Sequence, residues 1–449
     1  MKGPIFSCAE CGASSAKWLG RCPDCGAWNS YGEQSPPSKR RGLPAGGGRA
    51  LAIGEVAGDD EPRLTTGIAD FDRVLGGGIV AGSVVLVGGE PGVGKSTLLL
   101  QSAKRLAAAG RRVLFVSGEE SARQVRLRAG RLDALSPDLF VLAETDAEVA
   151  CREAEALAPA LVVVDSVQSV VSDGVASPAG SIAQVRTAAL LFQRFAKQKN
   201  VPVVLIGHVT KDGSLAGPKS LEHLVDTVLS FEGDRSRGRR ILRALKNRFG
   251  PIEEVALYEM TASGLSEIAD PSQALLAERR AGVAGSAVSA SVEGTRPLLV
   301  EIQALVGPSV AGSARRSAVG LDSGRLSMIL AVLEARAGFS FAQREVFVSC
   351  AGGLDLREPA VDLALAAAIL SSQTKAPLPA DAFYFGEVGL LGEVRSVPDA
   401  PARLREGMAH GFRKVFLSKS DAASAAEFPG LKAFPISDVG ELAAKPRNA

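Results

Sequence analysis

The 449-residue sequence contains no long apolar run. No stretch reaches the roughly 18 uninterrupted apolar residues that a membrane-spanning helix needs, so no membrane span is expected. The opening Met-Lys-Gly-Pro-Ile-Phe-Ser-Cys also lacks the apolar core of a secretion signal, which points to the cytoplasm. Cysteine is scarce, and four of the six residues fall within the first 25. That distribution argues against a disulfide framework and for one metal site in a reducing compartment, with Cys151 and Cys350 as core residues. Charge of one sign is lacking too: 51 basic against 49 acidic residues leave a net charge of +2, so partners must be sought in local clusters. Aromatics make up only 5%, yet Trp18, Trp28 and Tyr31 all lie in the first 31 residues.

Glycine, by contrast, is abundant and placed with purpose. Gly89-Glu90-Pro91-Gly92-Val93-Gly94-Lys95-Ser96-Thr97 fits the phosphate-loop pattern in full. A β-rich run, Ser83 to Val87, precedes it, and a helix-period segment, Ser96 to Ala109, follows. Glycines at such a junction let backbone N–H groups converge on phosphate oxygens at a helix start, where the dipole favours anions. Lys95 is expected to reach the β- and γ-phosphates of ATP, and Ser96 to ligate Mg²⁺.

Cys8-x-x-Cys11 and Cys22-x-x-Cys25 form two pairs separated by ten residues, each followed by a glycine (Gly12, Gly26). Four thiolates can close a tetrahedral shell around Zn²⁺, so a structural zinc finger is expected over residues 1–35. A segment this short could hardly fold without metal. Trp18, Trp28 and Tyr31 either pack around the knuckles or present a stacking surface for bases or a partner protein. Residues 36–60 then read as a basic, Pro- and Gly-rich linker.

Over residues 61–270 short β-rich runs alternate with helical patterns, which indicates an α/β domain with a parallel sheet. Leu161-Val-Val-Val-Asp165 is a buried strand ending in a carboxylate suited to hold Mg²⁺ beside Ser96. Glu119 and Glu120 follow another strand, and one of them is placed to orient the attacking water; Glu120 is preferred. The alternative is a pair of solvated loop acids. His208 ends a further strand, as a γ-phosphate sensor or as a structural histidine. Between Arg235 and Arg248 seven basic residues occur without an acid. They suit DNA phosphates, with Arg239 and Arg240 as candidates, or a role across a subunit boundary, or simply a solvated face. Two small-residue loops, 172–181 and 211–219, also suit a DNA path, with Arg186, Lys211 and Lys219 supplying charge.

Leu64-Thr-Thr-Gly through Gly78, leading into the phosphate loop, resembles the RecA-like ATPases. Together with Gly118-Glu-Glu-Ser121, the paired cysteines and Lys246-Asn-Arg-Phe-Gly250, the chain is similar over nearly its whole length to the bacterial RadA (Sms) family. The resemblance implies a DNA-stimulated ATPase that forms a ring, with a hexamer expected, and that moves along single-stranded DNA to drive branch migration in homologous recombination. It implies single-stranded and branched DNA and a RecA-type recombinase as partners. It assigns Lys246 and Arg248 to the γ-phosphate of a neighbouring subunit. It also implies that residues 275–449 are Lon-protease-like. There Ala360 occupies the place of the nucleophilic serine and the lysine position falls on or near Pro401, so peptide hydrolysis has no chemistry to use. An ATP-dependent peptidase and a nucleotide-switched assembly ATPase are the competing readings. The zinc knuckles and the Lys-Asn-Arg-Phe-Gly run favour the DNA motor over the latter.

Overall fold

The computed structural model describes residues 5–8, 14–23, 26–34, 63–175, 177–208, 219–233, 238–252, 254–309 and 314–444. The chain divides into two compact units, Met1–Gly233 with Arg240–Glu267, and Asp234–Arg239 with Ile268–Ala449. No helix among the described residues is long and apolar enough to cross a membrane.

At the amino terminus β1 (Ile5–Cys8) pairs antiparallel with β2 (Ser14–Ser15) and β3 (Tyr31–Gln34), which sets Cys8 opposite Tyr31. Beyond it come α1 (Ala69–Val74), β4 (Val84–Gly89), α2 (Lys95–Ala108), β5 (Val113–Ser117), α3 (Ala122–Arg131), β6 (Leu139–Ala143), α4 (Ala147–Leu157), β7 (Leu161–Asp165), α5 (Ile182–Lys199) and β8 (Val203–His208). The unit closes with α6 (Lys219–Glu222), β9 (Thr227–Gly233), β10 (Arg239–Asn247), β11 (Val255–Thr261) and β12 (Gly264–Glu267). Among the described residues these strands make one nine-stranded sheet in the order β12-β11-β10-β9-β4-β8-β7-β5-β6. The block from β9 to β6 is parallel, whereas β10 returns antiparallel against β9.

Strand alternation explains how both faces fill. Val85, Val87, Phe115, Val163, Val204 and Ile206 share one core with Phe71 of α1 and Leu98 and Leu99 of α2. Their neighbours Val84, Leu86, Leu114, Val116, Val162 and Leu205 build the opposite core with Ala150 of α4 and Val185 and Phe192 of α5. A sheet covered on both sides reads as continuous apolar runs, which is how β4, β7 and β8 appear in the sequence. Helix starts are marked chemically: Ser121 and Gln124 cap α3 reciprocally, and Asp146 and Ser181 cap α4 and α5.

The second unit runs α7 (Pro271–Leu276), β13 (Ser286–Glu293), β14 (Arg296–Pro308), β15 (Arg316–Val319), α8 (Ser323–Ala337), β16 (Arg344–Cys350), α9 (Asp362–Thr374), β17 (Ala382–Tyr384), β18 (Glu387–Val388), β19 (Val394–Arg395), α10 (Ala400–Ala409), β20 (Lys414–Ser418), α11 (Ala422–Ala425) and β21 (Lys432–Ile436). Seven of these strands form a mixed sheet, β15-β16-β14-β13-β17-β20-β21, among the described residues. Ala360 lies buried in a tight turn before α9, and its carbonyl accepts from the Gly386 N–H at 2.8 Å. Pro401 is in the first turn of α10. The segment before α9 and α10 itself are joined by Glu358 and the almost fully buried Arg403, in a bidentate pair at 2.7 and 2.8 Å. A bidentate pair so enclosed holds two segments together, and breaking one partner leaves an uncompensated charge.

Candidate nucleotide site and metal-binding module

Register places the chemistry. In the parallel pairing of β4 with β8, Gly89 lies opposite His208; in that of β5 with β7, Ser117 lies opposite Asp165. The carboxyl ends of four strands therefore reach one edge of the sheet, where open α/β sheets bind ligands. A cavity of about 350 Å³ opens there, lined by the loop residues Pro91, Gly92, Gly94, Lys95, Ser96 and Thr97 and by carboxylates and cations described below. Gly89, Glu90 and Val93 complete the loop.

Two glycines of the loop are required by space. A Cβ on Gly89 would fall 2.3 Å from the Phe231 carbonyl oxygen, and Gly94, the N-cap of α2, has φ near +118° with Met260 Cε 2.8 Å from a Cβ position. Lys95 is only 4% exposed, and its Nζ donates to the carbonyls of Gly89 at 2.7 Å and Glu90 at 2.9 Å. Burial pulls its pKa down to about 8, against the opposing pull of Asp165, Glu119 and Glu90.

Asp165 ends β7 at the cavity. Burial raises its pKa, while the Ser96 hydroxyl that donates to it and the nearby Arg128 lower it. A buried carboxylate touching the phosphate-loop serine is a hard oxygen donor pair that fits Mg²⁺, and Ser96 and Asp165 are the groups that would hold it.

The two glutamates take different partners. Glu119 Oε1 accepts from Ser166 Oγ at 2.5 Å and lies 3.4 Å from His208 Nε2. His208 Nδ1 in turn is 3.3 Å from Lys95 Nζ. Because Lys95 is the donor in that contact, Nε2 must carry the proton that faces Glu119. Glu120 lines the same cavity but takes another partner: its N–H donates to Ser117 Oγ at 3.0 Å and its carboxylate is paired with Arg128. Arg128 also stands 3.7 Å from Asp165. Sequence reasoning missed Arg128, Ser117 and Ser166. The signal for Arg128 was available, since it shares the face of α3 with the buried Val125, three residues earlier.

The basic run proves to be largely β10. Arg240, expected to face DNA, is 5% exposed and donates its Nε to the Val93 carbonyl at 2.9 Å. That expectation is corrected, because a buried guanidinium supporting the phosphate loop has no path to a polynucleotide. Arg239 is half-buried. Lys246 donates to the carbonyls of Glu222 and, at 2.8 Å, Val225, and burial lowers its pKa, as does the neighbouring charge of Arg248. Arg248 pairs with the buried Asp226 at 3.1 Å, whose other oxygen accepts from the Val84 N–H at 3.0 Å. Arg186 is exposed on α5. Lys211 and the side chain of Lys219 lie outside the described residues.

In the cysteine module, Cys8 and Cys22 are each 1% exposed and share a small core with Tyr31, against which Phe6 and Leu19 pack. Cys8 Sγ is 3.1 Å from Ser30 Oγ and Cys22 Sγ 3.7 Å from Tyr31 Oη. Two buried thiols from separate knuckles brought into one cluster fit a soft-ligand Zn²⁺ site. Cys11 and Cys25, the other expected ligands, lie outside the described residues.

Comparison with known proteins covers each part. Residues 60–214 match the AAA domain family, residues 6–33 the rubredoxin metal binding domain, and residues 302–421 the ChlI subunit of Mg-chelatase. Over 444 residues the sequence is 45% identical to the DNA repair protein RadA of Bacillus subtilis (strain 168), covering 97% of both chains. The chain belongs to the RadA family. The RadA of Listeria monocytogenes is 46% identical across 93% of this chain and 92% of its own, and that of Brucella abortus 47% identical across 91% and 90%. RadA membership fits the α/β architecture read from the sequence: an ATPase core, a zinc ribbon before it and a Lon-like domain after it.

Proposed function

We propose that this protein is a DNA-dependent ATPase of homologous recombination and repair, which moves along single-stranded DNA and promotes branch migration. The observation that carries the reading is the convergence of Lys95, Ser96, Asp165, Glu119 and His208 on one cavity at the edge of the parallel sheet, in a chain of the RadA family. ATP would lie with its phosphates along residues 89–97. Lys95 would exchange its two carbonyl partners for phosphate oxygens, and Ser96 and Asp165 would hold Mg²⁺, which would supply charge neutralisation. Glu119 orients the attacking water. It is favoured over Glu120 because Glu120, though it lines the same cavity, is paired with Arg128, whereas Glu119 stands beside His208.

The line Lys95, His208, Glu119 would report the γ-phosphate to the segment that follows β8, which with the 172–181 loop and Arg186 forms the DNA path. Lys246 and Arg248 act at the seam of a ring, with a hexamer expected, and a RecA-type recombinase is the partner. The carboxy-terminal unit scaffolds assembly and performs no peptide hydrolysis, since Ala360 has no nucleophilic atom. A cytoplasmic location follows from this role. The test is ATP turnover with and without single-stranded DNA. Stimulation of tenfold or so, about 1.4 kcal/mol in the barrier, is expected; turnover indifferent to DNA would favour the assembly-ATPase reading.

A further inference from the structure

Asp165, one of the two groups that would hold Mg²⁺, already faces a cation of the protein itself. Arg128 Nη1 stands 3.7 Å from Asp165 Oδ2, while its Nη2 is paired with Glu120 Oε1. One planar guanidinium thus turns its two ends to two carboxylates, which its fork of donors allows. The elements on both sides fix this arrangement. The capping box of Ser121 and Gln124 sets the start of α3, and the buried Val125 and Ala129 pin that helix to the core, so that Arg128 is presented to the cavity. On the carboxylate side, the Gly118 N–H donates to the Asp165 carbonyl at 2.9 Å, and a Cβ on Gly118 would fall 2.3 Å from Ser169 Oγ. This close approach holds the loop after β5 against the end of β7 and brings Glu120 and Asp165 to the same side chain. The side chains of Arg128 and Asp165 are 26% and 13% exposed, so solvent ions screen the pair only partly.

A guanidinium beside a metal-holding carboxylate offsets the charge that the metal would meet, and it repels the metal directly. Glu120 works against both effects, because it offsets the guanidinium in turn. We propose that Arg128 is a positioning residue that stands in for Mg²⁺ at Asp165 while the site is empty, and that Glu120 draws it off when metal and nucleotide arrive. The pair then sets how strongly nucleotide binding depends on Mg²⁺. It also spares the protein an uncompensated buried carboxylate at the mouth of the empty phosphate loop. The proposal rests on the nucleotide-site reading above, and it gives Glu120 a task other than orienting water.

The readout is binding, not turnover. Calorimetry on the full chain gives the dissociation constant of a non-hydrolysable ATP analogue in EDTA and in excess Mg²⁺, and the first is divided by the second. This quotient is the coupling between metal and nucleotide at the site, and any contact made equally in both conditions cancels from it. Arg128→Gln is expected to raise the quotient about tenfold, the low end of what a neighbouring charge does to a carboxylate. Glu120→Gln is expected to lower it several-fold, since the guanidinium then acts on Asp165 unopposed. Arg128→Lys keeps the charge without the fork and is expected between the native chain and Arg128→Gln. A merely loosened α3 would move the Arg128 and Glu120 variants in the same direction. A quotient left unchanged or lowered by Arg128→Gln, or not lowered by Glu120→Gln, would overturn the proposal and leave the nucleotide site standing. A native chain that binds the analogue in neither condition would remove the nucleotide-site reading and the proposal with it.

Discussion

Lys95 and the two glutamates carry the sharpest tests at the scale of single residues. In the nucleotide-free loop Lys95 is pulled down to about 8 by burial. Bound triphosphate favours the ammonium and raises that pKa, so binding takes up a proton above pH 8. ATP affinity is therefore expected to be flat below about pH 8 and to fall toward tenfold per unit above it, measured by titration calorimetry in two buffers of different ionisation enthalpy. For folding of the empty protein the sign reverses. The unfolded chain, at 10.5, binds more protons between about 8 and 10.5, so this residue's contribution to stability rises with pH across that window. Glu119→Gln should lower turnover by ~10²- to 10⁴-fold with ATP binding kept. Glu120→Gln should reduce it far less, because Arg128 already neutralises that carboxylate. Equal losses would show that the pairing with Arg128 does not survive in the working site.

Among the elements, β10 ties the phosphate loop to the segment that precedes β9. Its Arg240 supports the phosphate loop at Val93, and its Lys246 holds the carbonyls of Glu222 and Val225, just after the segment that follows β8. Each charge-assisted bond of this kind contributes ~1.5–3 kcal/mol. Lys246→Met is expected to speed amide exchange at Leu224 and Val225 tenfold or more in the isolated, nucleotide-free subunit. If Lys246 acts only across a subunit seam, those amides will exchange as in the native chain. The same strand shows where the sequence was hard to read. The runs at β4, β5, β7 and β8 are legible because both faces of each strand are apolar, and the phosphate-loop pattern then locates the site. In β10 the buried Arg240 and a bulge between Ala244 and Lys246 break the period, so charge conceals a core strand. Glu120 is preferred in the sequence reading and Glu119 in the proposal, because the distinction lies in Arg128 and Ser166, which approach from α3 and from beyond β7 and which adjacency does not show.

For the whole molecule the proposed account is that hydrolysis at the edge of a parallel sheet is transmitted to loops that grip a DNA strand. Local pattern made two parts legible in the sequence, through cysteine spacing and the phosphate loop, whereas the third was read from the family resemblance, which also supplied the Ala360 and Pro401 replacements. The tie between Glu358 and Arg403 was not legible, because it joins residues far apart in the chain whose pairing only the fold reveals. The central claim is the coupling itself, and the most direct measurement is migration of a four-way DNA junction by Lys95→Ala. The account predicts that this variant still folds and binds single-stranded DNA but moves the junction no faster than its spontaneous rate. Migration at the native rate without a functional phosphate loop would contradict it.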